Sequence, residues 1–283
     1  MPSTNPTNAP RADLHLHTLF SDGTDTPERI VELAAAAGLS VIAITDHDNT
    51  QAATLAQPAA ARVGLELIPG IEMSASVENI EVHVLGFFFD AEHPALNAHL
   101  ATQQARRVAR VYETVERLRR IGVSISADEV LRVAGPGTVG RPHVARVLLK
   151  HGYVSTVAEA FTRYIGTDNP GFVSGSTTPP AEVIGLIRAA GGIPVLAHPI
   201  YLKRDALIET FVAEGLVGLE VYHSSHNPET VRRYELIAER LHLLKTGGSD
   251  YHGDSKEGVP VGTAAVPATL VDRLKAWKSA HAS

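Results

Sequence analysis

Short apolar runs and amphipathic stretches alternate along most of the chain, which predicts strands and helices in turn. In the first run, residues 12–17, Asp13, His15 and His17 alternate with two leucines. The two-residue period of a strand sends the three polar side chains to one face and the leucines to the other. Further apolar runs predict strands at residues 40–45, 65–68, 80–88, 193–197, 216–222 and 242–246.

Helical patterns separate most of these runs. Thr26 is a predicted N-cap, Pro27 suits the first helical position and Gly38 is a C-terminal stop, which predicts a helix over residues 27–37. Repeated strand–helix units predict a parallel sheet, and polar residues at the strand ends predict an α/β barrel with its site at that face. About seven strands can be recognised, one fewer than a complete barrel has. Further helices are predicted near residues 52–63, 180–190, 204–214 and 228–241.

The strand signal disappears between residue 93 and about residue 171. Apolar residues recur there at helical spacing from Val108 to Ile121, with arginines interleaved, and shorter helices are predicted at residues 127–133, 142–150 and 157–164. We therefore expect three regions, namely a disordered N-terminus (residues 1–11), a barrel (residues 12–92 and 172–283) and a helical insertion, or cap (residues 93–171).

Composition narrows the class of protein. The 283 residues are 44% hydrophobic and 20% charged, as in an ordinary globular protein. No apolar run approaches the roughly 18 residues of a membrane span, and no signal peptide is recognisable, so we expect a cytoplasmic protein with no membrane partner. The chain has no cysteine but 14 histidines, so any metal must be held by nitrogen and oxygen.

Charge is unevenly distributed along the chain. The net charge of −6 argues against a long nucleic-acid polymer as partner. Residues 95–165, however, contain eleven Arg or Lys against five Asp or Glu. This basic segment is suited to an anionic substrate, whereas the acidic remainder is suited to divalent cations; a solvated arginine-rich helix face is the simpler explanation of the basic segment.

Nine histidine and carboxylate residues follow or end the predicted strands. Any one of them alone is explained as a core histidine, a surface residue or a helix cap, but together they exceed the needs of one ion and suit two or three divalent metals. Asp13 and Asp46, which neighbour members of this set, are expected to orient imidazoles from outside it. The nine candidate metal ligands are His15, His17, Asp22, His47, Glu72, His83, His198, Asp250 and His252.

These residues occur in an ordered set of motifs, D-L-H-L-H with S-D-G, T-D-H-D, G-I-E, E-V-H-V-L-G, A-H-P and G-S-D-Y-H, which spans residues 13–252. The set resembles that of the PHP family, named for polymerase and histidinol phosphatase domains. The resemblance implies a distorted (βα)7 barrel, similar to a TIM barrel, with a trinuclear metal site. By position, it assigns His15, His17, Glu72 and Asp250 to a first metal, Glu72, His83 and His198 to a second, and Asp22, His47 and His252 to a third.

Two shorter strings, G-R-P-H-V-A at residues 140–145 and E-V-Y-H at residues 220–223, are similar to the branch of the family that contains 3′,5′-nucleoside bisphosphate phosphatases and short-RNA 5′-to-3′ exonucleases. The implied activity is removal of the 3′-phosphate from a small anionic nucleotide such as 3′-phosphoadenosine 5′-phosphate. The resemblance favours Mn²⁺, although nitrogen and oxygen ligands also permit Zn²⁺ or Fe²⁺.

The predicted mechanism is in-line attack of metal-activated water on phosphorus. Asp250 is a catalytic metal ligand, and His223, a strand-end histidine outside the set of nine, donates a proton to the leaving group or binds phosphate. Arg141 is the predicted phosphate clamp, assisted by His143. Two alternatives remain open, namely cleavage of short RNA from its 5′ end by the same metals, and a divalent-metal binding module without catalysis.

Overall fold

The computed structural model describes residues 9–175, 177–256 and 258–281, and within them eight strands form a nearly closed barrel. The strands are β1 (Arg11–Leu16), β2 (Val41–Ile44), β3 (Glu66–Val77), β4 (Ile80–Phe87), β5 (Ile193–Leu196), β6 (Gly218–His223), β7 (Leu244–Gly248) and β8 (Val266–Pro267). The helices are α1 (Pro27–Ala36), α2 (Gln51–Val63), α3 (Pro94–Arg120), α4 (Ala127–Ala134), α5 (Arg141–Lys150), α6 (Val157–Ala160), α7 (Pro180–Ala189), α8 (Ala206–Ala213), α9 (Pro228–Arg240) and α10 (Thr269–Ala280).

The sheet order is β7-β6-β5-β4-β3-β2-β1-β8, so strands that are neighbours in the chain are mostly neighbours in the sheet. Backbone bonds from Asp250 N to His15 O (2.9 Å) and from His17 N to Tyr251 O (3.0 Å) bring the segment after β7 against β1. Gly248 permits this approach, because an added Cβ would lie 2.4 Å from Cβ of His15. The predicted α/β barrel is therefore confirmed, with the two-residue β8 as an additional strand that the sequence pattern did not reveal.

The expectation of a parallel sheet is wrong at β4, which runs antiparallel to both β3 and β5, and at β8, which runs antiparallel to β1. The strand predicted at residues 65–68 continues to Val77, and a turn at Glu78 and Asn79 returns the chain directly into β4. Both turn residues have positive φ, 49° and 65°, as a two-residue hairpin turn requires. The pair Glu-Asn lacks the glycine that usually signals such a turn, which explains why the hairpin was missed.

The helices between β4 and α7 form the region predicted as an insertion. They bury a hydrophobic cluster of their own, which includes Val111, Leu118, Val130 and Leu148. The predicted final helix of this region is α-helical only at Val157–Ala160 and continues as one turn of π-helix at Phe161–Ile165.

The ends of the chain complete the fold. Residues 1–8, most of the N-terminus predicted to be disordered, lie outside the described residues, and β1 begins at Arg11. At the other end α10 packs Val271 and Leu274 against strand residues such as Leu14 and Phe87. No helix among the described residues has both the length and the apolarity needed to cross a lipid bilayer.

Candidate metal centre

All nine predicted ligands lie together at one mouth of the barrel. Each is delivered by a strand or by the loop that follows it: Glu72 and His83 lie within β3 and β4, His15 lies in β1, and the others follow β1, β2, β5 and β7. His198 and Asp250 have positive φ, 26° and 54°, so the backbone is strained where it turns these side chains into the site.

Glu72 is at the centre of the cluster. Its Oε2 lies 3.3 Å from Nε2 of His15 and 3.2 Å from Nε2 of His17. The Oδ1 atom of Asp250 lies 3.4 Å and 3.3 Å from the same two nitrogens. Two donor atoms that each lie about 2.1 Å from one ion, at tetrahedral angles, are about 3.4 Å apart, so these four side chains fit a single divalent ion.

The other oxygen of Glu72 faces two further imidazoles. Oε1 lies 3.0 Å from Nδ1 of His83 and 2.9 Å from Nε2 of His198. Because its two oxygens face separate groups of nitrogens, Glu72 has the geometry of a carboxylate that bridges two ions. This is the arrangement implied by the motif resemblance.

A third group surrounds Asp22. The Oδ1 atom of Asp22 is 3.2 Å from Nε2 of His252, and Oδ2 is 3.7 Å from Nε2 of His47. Donor atoms of His17, Asp22, His47 and His252 all lie within 4.8 Å of one another. The structure therefore brings together each of the three predicted ligand groups, while the distribution of ions among them remains a prediction.

Hydrogen bonds outside the cluster set the tautomers of three imidazoles. Nδ1 of His15 donates to Oε1 of Glu220 (2.8 Å) and Nδ1 of His252 donates to its neighbouring carbonyl, that of Asp250 (2.9 Å). Nδ1 of His17 donates to the hydroxyl of Ser21 (3.3 Å), whose proton goes to Asp46. In each ring the Nε2 lone pair is left facing the cluster, as metal ligation requires.

Several buried atoms in the cluster have no hydrogen-bond partner among the described residues. They are Nε2 of His15, His17 and His83, Nδ1 of His47 and Oδ1 of Asp22. Buried polar atoms without partners are costly unless something binds them. The donor set, which contains only nitrogen and oxygen, fits borderline divalent cations.

The charges of the cluster also favour the binding of cations. Burial alone would raise the pKa of Glu72, but the surrounding imidazoles hold the pKa of this carboxyl well below its usual range. Against the opposing effect of burial, the carboxylates raise the pKa of His17 to about 9 and that of His83 to about 10. Burial lowers the pKa of His47 to about 3. The cluster thus keeps its negative charge and attracts positive charge, which divalent ions supply.

The sequence model of the PHP domain family matches residues 13–161 of this chain. The 3′,5′-nucleoside bisphosphate phosphatase of Chromobacterium violaceum is 35% identical to this chain, over 88% of this chain and 90% of its own length. The chain belongs to the PHP domain family. The fold, the ligand cluster and these matches together make it a metal-dependent phosphoesterase of that family.

Two other relatives of this PHP protein resemble it over most of its length. The 5′-3′ exoribonuclease Rnm of Salmonella typhimurium is 36% identical, over 85% of this chain and 84% of its own. A crystal structure from Bifidobacterium adolescentis, named provisionally as a metal-dependent phosphoesterase, superposes with a TM-score of 0.88 at 35% identity, covering 94% of this chain and 95% of that one. Relatives of comparable similarity therefore carry different substrate names.

Asp13 and Asp46 were predicted to orient imidazoles, but neither carboxylate is hydrogen-bonded directly to a ring among the described residues. Asp13 accepts hydrogen bonds from the backbone N–H groups of Ser249 and Gly262, at 2.9 and 2.8 Å. Asp46 reaches His17 only through the hydroxyl of Ser21. Asp46 also accepts from the backbone N–H of Thr18 at 2.7 Å, so both carboxylates hold loops in place.

Glu220 orients imidazoles instead, and the sequence prediction missed it. It is fully buried; its Oε1 accepts from His15, and its Oε2 accepts from the backbone N–H of His198 at 2.7 Å. The available signal was a glutamate inside the otherwise apolar strand β6. Lys256 was also missed, and its Nζ lies 2.7 Å from Oδ2 of Asp250.

An arginine-lined cleft lies beside the cluster, between α3 and β4. Its small cavity, of about 30 Å³, is lined by Arg106, Arg107, Arg110 and Glu81 among others. Arg110 makes no hydrogen bond or ion pair with any described residue. Burial and the neighbouring Arg107 lower the pKa of its guanidinium to about 10. The cleft therefore carries a net positive charge, because its three arginines outnumber Glu81, although Arg107 is also paired with Asp48.

Arg141, the predicted phosphate clamp, lies near this cleft. Its Nη2 is 2.6 Å from Oε2 of Glu81, and its guanidinium lies 5.8 and 5.7 Å from the ring centres of Phe161 and Phe172. The other carboxylate oxygen of Glu81 is 3.6 Å from Nε2 of His83. Glu81 therefore lies between the arginine and a predicted metal ligand.

His143, the predicted partner of Arg141 in phosphate binding, and Tyr201, an aromatic residue beside the cluster, have different surroundings. His143 is buried, and its Nδ1 accepts from the backbone N–H of Gly140 at 3.0 Å, as a cap of α5. Burial lowers the pKa of His143 to about 4, so the ring is neutral near pH 7. The ring of Tyr201, which is half exposed, lies 5.2 Å from that of His198.

Proposed function

We propose that this PHP protein is a metal-dependent phosphomonoesterase that removes the 3′-phosphate from nucleoside 3′,5′-bisphosphates, leaving the 5′-monophosphate and phosphate. The observation that carries the proposal is the adjacency of two features: the cluster of nine ligands, which would bind phosphate once it holds divalent cations, and the cleft that contains Arg110. A substrate with two phosphates can place one at each feature, which a substrate with a single phosphate cannot do.

In this proposal the three ligand groups each hold one divalent cation, and Mn²⁺ is the preferred ion. His15, His17, Glu72 and Asp250 bind the first, Glu72, His83 and His198 the second, and Asp22, His47 and His252 the third. When bound, such ions supply positive charge to the phosphate oxygens and lower the pKa of water. Glu220 maintains the ligating tautomer of His15 during this chemistry.

His223 is proposed as the proton donor to the departing sugar oxygen. The backbone N–H of Ser225 donates to its Nδ1 at 3.0 Å, so the neutral ring carries its proton on Nε2. Nε2 lies 3.2 Å from Oδ2 of Asp250, and the proton therefore points into the cluster. A sugar alkoxide is a poor leaving group, and protonation makes its departure easier.

Arg141 and Arg110 are proposed to bind the phosphate that is not hydrolysed. Arg141 is paired with Glu81, so a phosphate that reaches it must displace or join that carboxylate. A guanidinium can donate two parallel hydrogen bonds to phosphate, which suits it to this exchange. His143 assists from the start of α5, because the positive end of a helix dipole favours an anion.

A phosphate-release screen tests the proposal. The substrates are 3′-phosphoadenosine 5′-phosphate, 3′-AMP, 5′-AMP and histidinol phosphate, each with Mn²⁺ and with a chelator. We expect release from the bisphosphate to exceed release from either monophosphate, and the chelator to stop it. Equal rates on the mono- and bisphosphates would refute the two-phosphate argument.

Two variants separate chemistry from binding. Asp250→Asn should abolish turnover and the stoichiometric binding of the first Mn²⁺ equivalent. Arg141→Ala should raise KM for the bisphosphate about 10- to 100-fold, because it removes hydrogen bonds to a charged group, with kcat nearly unchanged. Arg132→Ala is the matched control, since Arg132 is an exposed arginine of α4 that makes no hydrogen bond or ion pair with the described residues.

Cleavage of short RNA from its 5′ end is the second candidate, favoured by the relative named as an exoribonuclease. The same metals would attack a phosphodiester instead of a phosphomonoester. Incubation with a 5′-phosphorylated oligoribonucleotide of about five nucleotides distinguishes the two, because stepwise release of mononucleotides would indicate this activity. Stoichiometric metal binding without release from any of these substrates would leave a non-catalytic metal-binding module.

A further inference from the structure

The group formed by His17, Asp22, His47 and His252 differs from the other ligand groups in how it is supported. Asp22, His47 and His252 lie on loops that follow β1, β2 and β7. Glu72 and His83, in contrast, lie inside β3 and β4, where regular pairing of the hairpin positions them. The loop ligands therefore need support from outside the sheet.

Arg146 of α5 provides such support to two of the loops at once. Its Nη2 donates to the carbonyl oxygens of Asp22 and Gly23, the second at 3.2 Å. Its Nε donates to the hydroxyl of Ser255 at 3.1 Å, three residues after His252. A single guanidinium from the helical region thus joins the loop of Asp22 to the loop of His252.

The third loop is held in a similar way by α3. Asp48, the residue after His47, is fully buried, and its Oδ2 accepts from Nε and Nη2 of Arg107 at 2.9 and 2.8 Å. The Nη2 atom of Arg107 also donates to Ser74 of β3 at 2.8 Å. Each of the three loops that carry these ligands is consequently bonded to an arginine between β4 and α7.

We propose that Arg146 is a positioning residue for one metal position. By fixing the backbone at Asp22 and Gly23 relative to Ser255, it holds Asp22 and His252 at the separation needed to share an ion, and the helical region thereby completes a site otherwise built by the barrel. The inference rests on the proposed function, because it assumes that the cluster binds metal. It concerns Arg146 itself, which touches none of the nine predicted ligand atoms.

Titration of metal-free protein with Mn²⁺ tests this inference, with bound metal measured by elemental analysis after desalting. Arg146→Ala should lose one equivalent of Mn²⁺ per chain, or bind the last equivalent about 10- to 100-fold more weakly, as is typical when a residue that orients ligands is removed. The other equivalents should bind as in the wild type. Ser255→Ala, a milder change at a partly buried position that removes only one acceptor, should weaken the same equivalent to a smaller extent.

Arg132→Ala is the control, because it removes an arginine of the same helical region that makes no bond to a loop. Circular dichroism establishes that each variant folds; should Arg146→Ala fail to fold, Ser255→Ala and Arg146→Lys decide the question. If the folded variants bind Mn²⁺ with the number and affinity of the wild type, Arg146 does not position the site. If the wild type itself binds no stoichiometric Mn²⁺, the proposed function fails first, so the two failures are distinguishable.

Discussion

At the scale of single residues, the partner of the outer ring nitrogen decides what each imidazole can do. His15 donates its Nδ1 proton to Glu220, which leaves the Nε2 lone pair free for a metal. His223, in contrast, accepts at Nδ1 from the backbone N–H of Ser225 and carries its proton on Nε2. Both rings contact Asp250, so their different roles arise from the residues behind them.

The first prediction at this scale concerns His223. Replacement His223→Asn should lower kcat about 10²- to 10⁴-fold, the usual contribution of a general acid, because no proton donor then faces the leaving oxygen. Bound Mn²⁺ should be unchanged, since His223 is outside the set of nine. Steady-state kinetics and elemental analysis measure the two quantities. If the variant instead loses Mn²⁺, and excess Mn²⁺ restores its kcat, His223 is a metal ligand and not the proton donor.

A second prediction concerns Glu220. Glu220→Gln keeps the shape of the side chain but removes the charge that faces His15 and weakens the acceptor that fixes its tautomer. Mn²⁺ affinity, measured by competition with a chelator, should fall about 10- to 100-fold. Glu229→Gln in α9, an exposed glutamate on the protein surface, is the matched control and should bind metal as the wild type does. Equal affinities of both variants would contradict the prediction.

At the scale of elements, the β3–β4 hairpin is what makes the second ligand group. It pairs Glu72 with Leu85 and Ser74 with His83, and Glu72 and His83 consequently lie within contact distance near the mouth. A helical crossover at this point, as the regular barrel pattern predicts, would not place the two side chains in this register. The turn at Glu78 and Asn79 therefore determines how Glu72 and His83 are placed at the mouth of the barrel.

The third prediction tests this turn. Asn79 has a φ of 65°, which asparagine tolerates and β-branched residues do not. Asn79→Val should reduce the free energy of unfolding by about 1–2 kcal/mol, the cost of a left-handed conformation for such a residue. Asn79→Gly should be as stable as the wild type. Urea denaturation measures both, and equal stability of the valine and glycine variants would show that the turn is not under this constraint.

At the scale of the whole molecule, the barrel has a highly charged interior at one of its mouths. Asp22, Glu72, Glu220 and Asp250 are all buried at one mouth, facing histidines. Buried charges destabilise a fold unless they are compensated, and the structure gathers them from both halves of the sheet. Bound cations should therefore stabilise the entire fold.

The fourth prediction follows from this coupling. Mn²⁺ at about 100 times its dissociation constant should stabilise the metal-free protein by about 2.7 kcal/mol per site, because it binds only the folded chain. For a chain of this size that corresponds to a rise in Tm of about 5–10 °C, measured by differential scanning fluorimetry. Asp250→Asn should show a much smaller rise. No shift in the wild type would mean that the cluster is not occupied by this ion.

The sequence by itself determined the class of fold and the membership of the candidate site. Apolar runs alternating with capped helices depend on local rules of backbone and side-chain geometry, and they correctly predicted α/β units around a barrel. The motifs from His15 to His252 named nine side chains that the structure brings together, because strand ends in such a barrel meet at one face.

Tertiary structure alone decided how those side chains are held. His15 and Glu220 are 205 residues apart, and Arg146 reaches carbonyl groups 123 and 124 residues away. The antiparallel pairing of β4 with the distant β5 and the reach of Asp13 to the backbone of Ser249 and Gly262 are decided in the same way. Such contacts follow from the packing of distant elements, for which neither periodicity nor spacing along the chain carries a signal, because both describe only near neighbours.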